Sequence, residues 1–324
     1  MTINKPVACL GVIVADLVAN PVRAMPERAG MIVVDDMRLF PGGGASNTGT
    51  ALARLGVPVS VVGRIGDDSL GDFLKDALES EEIDTRWIKR DCSRKTSATM
   101  VMVDPDGERR FVHYIGANGN VRLNDIDPEV IENASILHIA YAFVLPGLDG
   151  DPMTKILREA KESGVITVLD TAWDAKGKWL ELIGTALPFV DYFIPNLAEA
   201  RAITGLEDPH DIAHRLLDLG VQTVVLKLNK AGCLAMDRGR RTIECPAYPV
   251  KVVDTTGAGD AFIAGFIAGI WNGRSLHESL QLANAVGALC VAGAGASGNV
   301  RTMMETQMFM AEHQANAVLG LNAV

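Results

Sequence analysis

The sequence predicts an α/β fold: a mainly parallel sheet with helices on both faces, in three layers, with a small β element standing off it. Three observations predict this. Short, nearly continuous apolar runs recur along the chain, as in strands buried on both faces. Helical patterns alternate with them. No Pro/Ser-rich linker interrupts the alternation over 324 residues, so a single domain spanning 1–324 is expected.

The elements read in order as follows. Val7–Val14 is a central-strand run that ends at Ala15-Asp16, and Met31–Phe40 reads as β structure. Pro41-Gly42-Gly43-Gly44 leads into a helix over Ala45–Leu55, then come a strand at Val59–Val62 and a helix over Asp68–Glu79. Ala98–Val103 and Arg109–Tyr114 flank Asp104-Pro105-Asp106-Gly107, a hairpin signal. Without intervening helices, segments of about 15–41 and 97–117 form a protruding lid. Strands at Ile136–Ile139, Val165–Leu169, Phe189–Ile194 and Thr223–Leu228 alternate with helices over Pro152–Lys161 and Asp211–Leu219. Val250–Val253 is strand-like and Ala261–Trp271 is a small-residue, proline-free buried helix. Leu276–Val291 is helical, and the tail from Met303, with four methionines, reads as a terminal helix packed on the body.

Composition bounds the function. A net charge of −10, with no visible Lys/Arg cluster, argues against a nucleic-acid surface. Five scattered cysteines without a C-x-x-C pair favour reduced thiols in a cytoplasmic protein. Neither a signal-peptide pattern nor a membrane-length apolar run is evident, so no membrane partner is expected.

The chemistry concentrates in Asp254-Thr255-Thr256-Gly257-Ala258-Gly259-Asp260. Gly257 and Gly259 strip side chains from a turn that opens a helix. Backbone N–H groups there, with Ala258 and the positive end of the helix dipole, make an anion site. Asp260, in the first turn, suits a general base beside developing phosphate charge. The plainer reading is a capped helix start. The glycine run Gly42-Gly43-Gly44 is not a dinucleotide fingerprint, because it does not follow the first strand, and no G-x-x-x-x-G-K-[ST] occurs.

Asp254, Thr256, Gly257, Gly259, Asp260 and Gly265 together resemble the C-terminal signature of the ribokinase-like (PfkB) sugar kinases. Gly42-Gly43, Asn47, Gly56, Gly63 and Gly66 resemble the first signature of that family. The resemblance runs from Gly11 to about Gly298 and implies a ribokinase-like core with a β-sheet lid. It implies Asp260 as catalytic base and the amides of Gly257, Ala258 and Gly259 as an anion hole. It implies Asp16, Gly42, Gly43 and Asn47 at the acceptor, with Asn118 a candidate contact or a turn residue. Val14 stands where ribokinases often carry Asn, a departure from the ribose-binding pattern. Asn196-Leu-Ala-Glu199 resembles the N-x-x-E motif, in which Glu199 acts on Mg²⁺ through water and Asn196 lies near the phosphates; the same four residues also read as a capping box. Lys227, Asn229 and Gly232 resemble the strand end and turn beside the nucleotide, and Asn284 aligns with a position against adenine. Asn229 stands where relatives usually have Gly, and Asn is the commonest other residue at positive φ. Asp254, Thr256, Cys290, Gly293, Gly295 and Asn299 match a loop that holds potassium in many members. Asp170 and Asp174 read as caps past a strand end or as substrate contacts.

The resemblance thus implies an ATP- and Mg²⁺-dependent kinase of a small sugar or polyol. A nucleoside kinase is the alternative in the same class, and a sugar-acid or sugar-phosphate kinase would need a cation such as Arg109, Arg110 or His113. A silent sugar- or nucleotide-binding protein is the alternative in another class. Exposed edges of the lid point to a homodimer joined through it.

Overall fold

Residues 5–293 and 299–318 are described in a computed structural model. Strand β1 (Val7–Gly11) lies within a nine-stranded sheet. The chain then leaves that sheet: β2 (Val14–Asn20) and β3 (Asp36–Gly42) pair antiparallel in a second one. Helix α1 (Gly44–Arg54) returns it to β4 (Val59–Gly66), parallel to β1, and α2 (Ser69–Ser80) leads to β5 (Ile88–Asp91) at one edge. A second excursion, β6 (Ala98–Val103) and β7 (Arg109–Tyr114), completes a small sheet ordered β3-β2-β6-β7. Alternation resumes with α3 (Pro128–Glu132), β8 (Ile136–Ala142), α4 (Asp151–Glu162), β9 (Ile166–Thr171), α5 (Leu180–Ile183) and β10 (Tyr192–Phe193). It continues through α6 (Leu197–Thr204), α7 (Pro209–Asp218) and β11 (Thr223–Lys227). Antiparallel β12 (Cys233–Asp237) and β13 (Thr242–Cys245) close the other edge. Helices α8 (Ala258–Trp271), α9 (Leu276–Val291) and α10 (Met303–Val318) end the chain. The large sheet is ordered β13-β12-β11-β10-β9-β8-β1-β4-β5.

Side-chain alternation builds the three layers. In β1, Ala8 and Leu10 enter one core and Val7 and Cys9 the other. The first core takes the apolar faces of α3, α4, α6 and α7; the second takes α1, α2, α8 and α9. Residues Asp260 to Gly269 of α8 are all buried, as a helix covered on every side requires. Met303 and Met310 of α10 pack on the second core, while Met304 and Met308 stay exposed. Among the described residues no helix is long and apolar enough to cross a membrane.

Four expectations change. The run Val7–Val14 is two strands in two sheets, so Asp16 lies inside lid strand β2 instead of closing the first strand. The break at Val12-Ile13 is held by Asn118, whose side-chain amide bonds both the N–H and the C=O of Ile13. The strand expected from Met31 begins only at Asp36, and Met31 and Val33 are exposed. Val250–Val253 is not a strand: the Val253 and Asp254 amides donate to Val291 O at the end of α9, and Val252 and Val253 are exposed. The expected strand Phe189–Ile194 shrinks to β10, because Leu187–Phe189 is a 3₁₀ turn.

Candidate active site

The parallel strands deliver their carboxyl ends to one rim, where sites in such sheets gather. Gly257, at φ 70°, turns the chain into α8. The first intrahelical N–H bond runs from Ala261 to Gly257 O at 2.8 Å, so the amides before it have no intrahelical partner. Ala258 differs from the expectation: its N–H makes a turn bond to Thr255 O at 3.3 Å, which leaves the Gly259 and Asp260 amides as the stronger part of an anion site.

Asp260 is buried at the start of α8. Its Oδ2 accepts from Asn47 Nδ2 at 2.8 Å and from Tyr141 Oη at 2.9 Å, while the buried Oδ1 has no partner. Desolvation pushes its carboxyl up to about 7, against the pull of the Asn47 bond. Lys227 Nζ lies 3.6 Å from where a Cβ would stand on Gly259, so an ammonium sits at the helix start. It pairs with Asp170 Oδ1 at 2.8 Å. Burial opposes its charge, but Asp170 and Glu199 outweigh burial and hold it firmly protonated.

Glu199 and Asn196 do form the capping box: Asn196 Oδ1 accepts from Glu199 N at 2.9 Å, and Glu199 Oε2 accepts from Asn196 N at 3.2 Å. The same Oε2 takes the Thr171 hydroxyl at 2.8 Å, which fixes the carboxylate at the rim beside Asp170 and Lys227. Asp170 is neither a cap nor free for a ligand, since it is the partner of Lys227. Asp174 is not a helix cap but holds the turn before α5, accepting from the Lys176, Lys178 and Trp179 amides.

Asp16 reaches the same centre through the lid. A Cβ on Gly42 would collide with the Asp16 carboxylate, so glycine there lets the two meet. Gly43, at φ 89°, then caps α1, whose first turn carries Asn47 to Asp260. Desolvation raises the Asp16 carboxyl to about 6, against Thr99 and Arg109. Asp16, Thr99, His113 and, further along, Arg109 share one lid face. Arg109 Nη2 crosses to Asp254 Oδ2 at 2.5 Å, tying the lid to the loop before α8. Asn118 is not part of this group: its amide is engaged at Ile13.

A second cluster lies along β11–β13. Asn229 adopts φ 54°, the conformation expected of a Gly stand-in, and Gly232 has φ 96° against the Cys245 carbonyl. Asn284 donates to Cys245 O at 3.0 Å and Pro246 O at 3.1 Å. Lys227, at the end of β11, joins the two clusters.

Among the described residues of the cation loop, the Asp254, Cys290 and Asn299 side chains are engaged within the protein, which leaves mainly backbone carbonyls as the groups that could hold a monovalent cation. Asp254 already carries the Arg109 guanidinium and the Thr256 N–H, the Cys290 thiol bonds Thr256 O, and Asn299 donates to Leu289 O. A Cβ on Gly293 would meet the Asn299 side chain, and Gly295 lies outside the described residues.

Tyr141 and Thr171 are functional candidates that sequence reasoning missed, as are the pairings Lys227–Asp170 and Arg109–Asp254 between residues it had named singly. Position at the carboxyl end of a strand was the available signal for Tyr141 and Thr171.

The chain matches the pfkB family carbohydrate kinase profile over residues 4–303. It is 31% identical over 245 residues to an uncharacterized sugar kinase of Archaeoglobus fulgidus, covering 76% of this chain and 96% of that one. It is 28% identical to the ribokinase of Haemophilus influenzae over 319 residues, 96% of this chain and 99% of the relative. Arabidopsis thaliana ribokinase, solved with ribose and ATP, superposes with a TM-score of 0.83 at 26% identity, covering 94% of this chain and 98% of its own.

Proposed function

The chain belongs to the pfkB family of carbohydrate kinases, and from that premise we propose that it transfers the γ-phosphoryl group of ATP to a primary hydroxyl of a small, uncharged sugar or polyol, with Asp260 as general base. One observation carries the reading: a buried carboxylate at the start of α8, held through Oδ2, keeps Oδ1 unpartnered. The acceptor hydroxyl gives its proton to Oδ1 as its oxygen bonds to the γ-phosphorus. The bond from that phosphorus to the β–γ bridging oxygen breaks, and ADP leaves. The amides of Gly259 and Asp260, with Lys227, stabilise the charge on the transferring group. Asp16 and Asn47 orient the acceptor's hydroxyls, and Asn196, Asn229, Gly232 and Asn284 line the nucleotide's path.

Mg²⁺ fits this site. Glu199 is anchored through Oε2 alone, which leaves Oε1 for a metal-bound water. Among the described residues no three acidic, His or Cys side chains converge as a cage, as suits an ion that keeps its waters and binds phosphate. Bound there, it would neutralise phosphate charge.

Cations already engaged support an uncharged acceptor. Arg109 is paired with Asp254, Arg110 with Asp104, and His113 is bonded to the Thr99 hydroxyl. That disfavours an acceptor bearing a carboxylate or phosphate. A phosphorylation screen over aldoses, ketoses, polyols, sugar acids and nucleosides, coupled to ADP release, tests the proposal. Turnover confined to sugar acids or nucleosides would overturn it.

A further inference from the structure

We propose that Tyr141 is a positioning residue for phosphoryl transfer: with Asn47, its phenol pins the Asp260 carboxylate by Oδ2 and so directs Oδ1 at the acceptor's proton. This rests on the reading of Asp260 as general base.

Both donors converge on a single oxygen, at 2.8 and 2.9 Å, and Oδ1 receives none. A carboxylate held in this way cannot rotate, and the oxygen without donors is the better proton acceptor. The phenol reaches it from an unusual backbone. Tyr141 has φ 67°, beside an irregularity in the β8–β9 ladder between Ile139 and Ala142. A bulky residue in that region costs energy that its surroundings must offset. The ring also needs the third glycine of the run. A Cβ on Gly44 would stand 3.0 Å from Tyr141 Cγ and 3.1 Å from Cδ1. Two separate features, the backbone turn and the missing side chain, thus serve one hydroxyl.

The phenol remains a donor throughout the working range, since burial and then Asp260 hold its own ionisation well above the ordinary tyrosine value. The other groups facing Asp260 are Lys227 on β11, Asp170 on β9, Cys9 on β1 and Cys290 on α9. Burial pushes both thiols up, so they stay neutral and place no charge beside the carboxylate.

The test is the pH profile of kcat/KM for the acceptor in Tyr141→Phe. Losing a hydrogen bond to the ionised carboxylate should move the acid limb up by about one pH unit. At pH 7 kcat should fall roughly fivefold, as the ionised fraction drops from about one half to about one tenth, and recover in alkali, with KM for ATP unchanged. Gly44→Ala, which displaces the ring while retaining the hydroxyl, should move the limb the same way and serves if the Phe variant is poorly folded. An unshifted limb in folded variants, with Asp260→Asn inactive, would overturn the role of Tyr141 alone. Activity retained in Asp260→Asn would instead overturn the general-base reading beneath it.

Discussion

Desolvation raises the Asp260 carboxyl to about 7, so near neutral pH the proposed base divides between its two forms. Activity should therefore fall as pH drops through about 7, because the protonated group cannot accept the acceptor's proton. Asp260→Asn should cut kcat by about 10²–10⁴ while ATP binding, followed by calorimetry, persists. The same substitution should affect stability in the opposite sense. The folded value stands above the ordinary 3.8, so the folded protein holds a proton that the unfolded chain has released. The stability this contributes is complete below about 4 and is lost as pH rises towards 7. Asp260→Asn, which cannot ionise, should therefore gain more in Tm over the parent at pH 8 than at pH 5. Asp16 makes the contrasting case, since its partners belong to the lid. Asp16→Ala should raise the acceptor KM by roughly 10–100-fold, the equivalent of about 1.5–3 kcal/mol for hydrogen bonds to a charged group. A rise in ATP KM with the acceptor KM unchanged would remove Asp16 from the sugar pocket.

At the scale of elements, the lid hairpin and the loop before α8 act as one unit because Arg109 joins them. The pair is partly buried, with side-chain exposures of 21% and 7%, so solvent screens it less than a surface bridge. Arg109→Ala should loosen the hairpin β6–β7. Amide hydrogen exchange there should quicken, and the acceptor KM should rise roughly tenfold, the scale of a lost charge-assisted hydrogen bond. Unchanged exchange would show that the lid is held by other contacts. The elements themselves were largely legible. Asp68, Asp208 and Ser275 cap helices that the apolar period had already marked. The capping reading of Asn196-x-x-Glu199 and its position at the rim hold together, since one carboxylate oxygen serves both the N-cap amide and Thr171. Val250–Val253 misled because β-branched residues suit any extended backbone, and only its hydrogen-bond partner in α9 distinguishes it from a strand.

Across the whole molecule, the lid's second face remains to be covered. Leu39, Leu17, Met100 and Val112 form one cross-strand row, on the face opposite Asp16 and Arg109. Leu39 packs on the body, but Met100 and Val112 are 47% and 60% exposed, with Met37 and Tyr114 exposed on the same face. Strands β3 and β7 also present open edges. Both features lead us to expect a homodimer joined lid to lid. Light scattering at micromolar concentration should give twice the 34.6 kDa chain mass, and Val112→Lys should return it to the monomer. A parent protein that is monomeric and fully active would exclude the clasp.

Read alone, the sequence determined the layered α/β class, the lid, the glycine-rich start of α8 and the identity of the carboxylate there. Periodicity, turn chemistry and short motifs are local properties that neighbouring residues suffice to express. Tertiary structure alone decided which groups meet that carboxylate. Asn47 and Tyr141 stand 213 and 119 residues from Asp260 along the chain, and Lys227 stands 57 from Asp170. Such contacts arise where strands from distant parts of the chain end at one rim. The positive φ of Tyr141, the split of Val7–Val14 between two sheets and the capture of Asp254 by Arg109 depend on packing around them, and no local pattern encodes that.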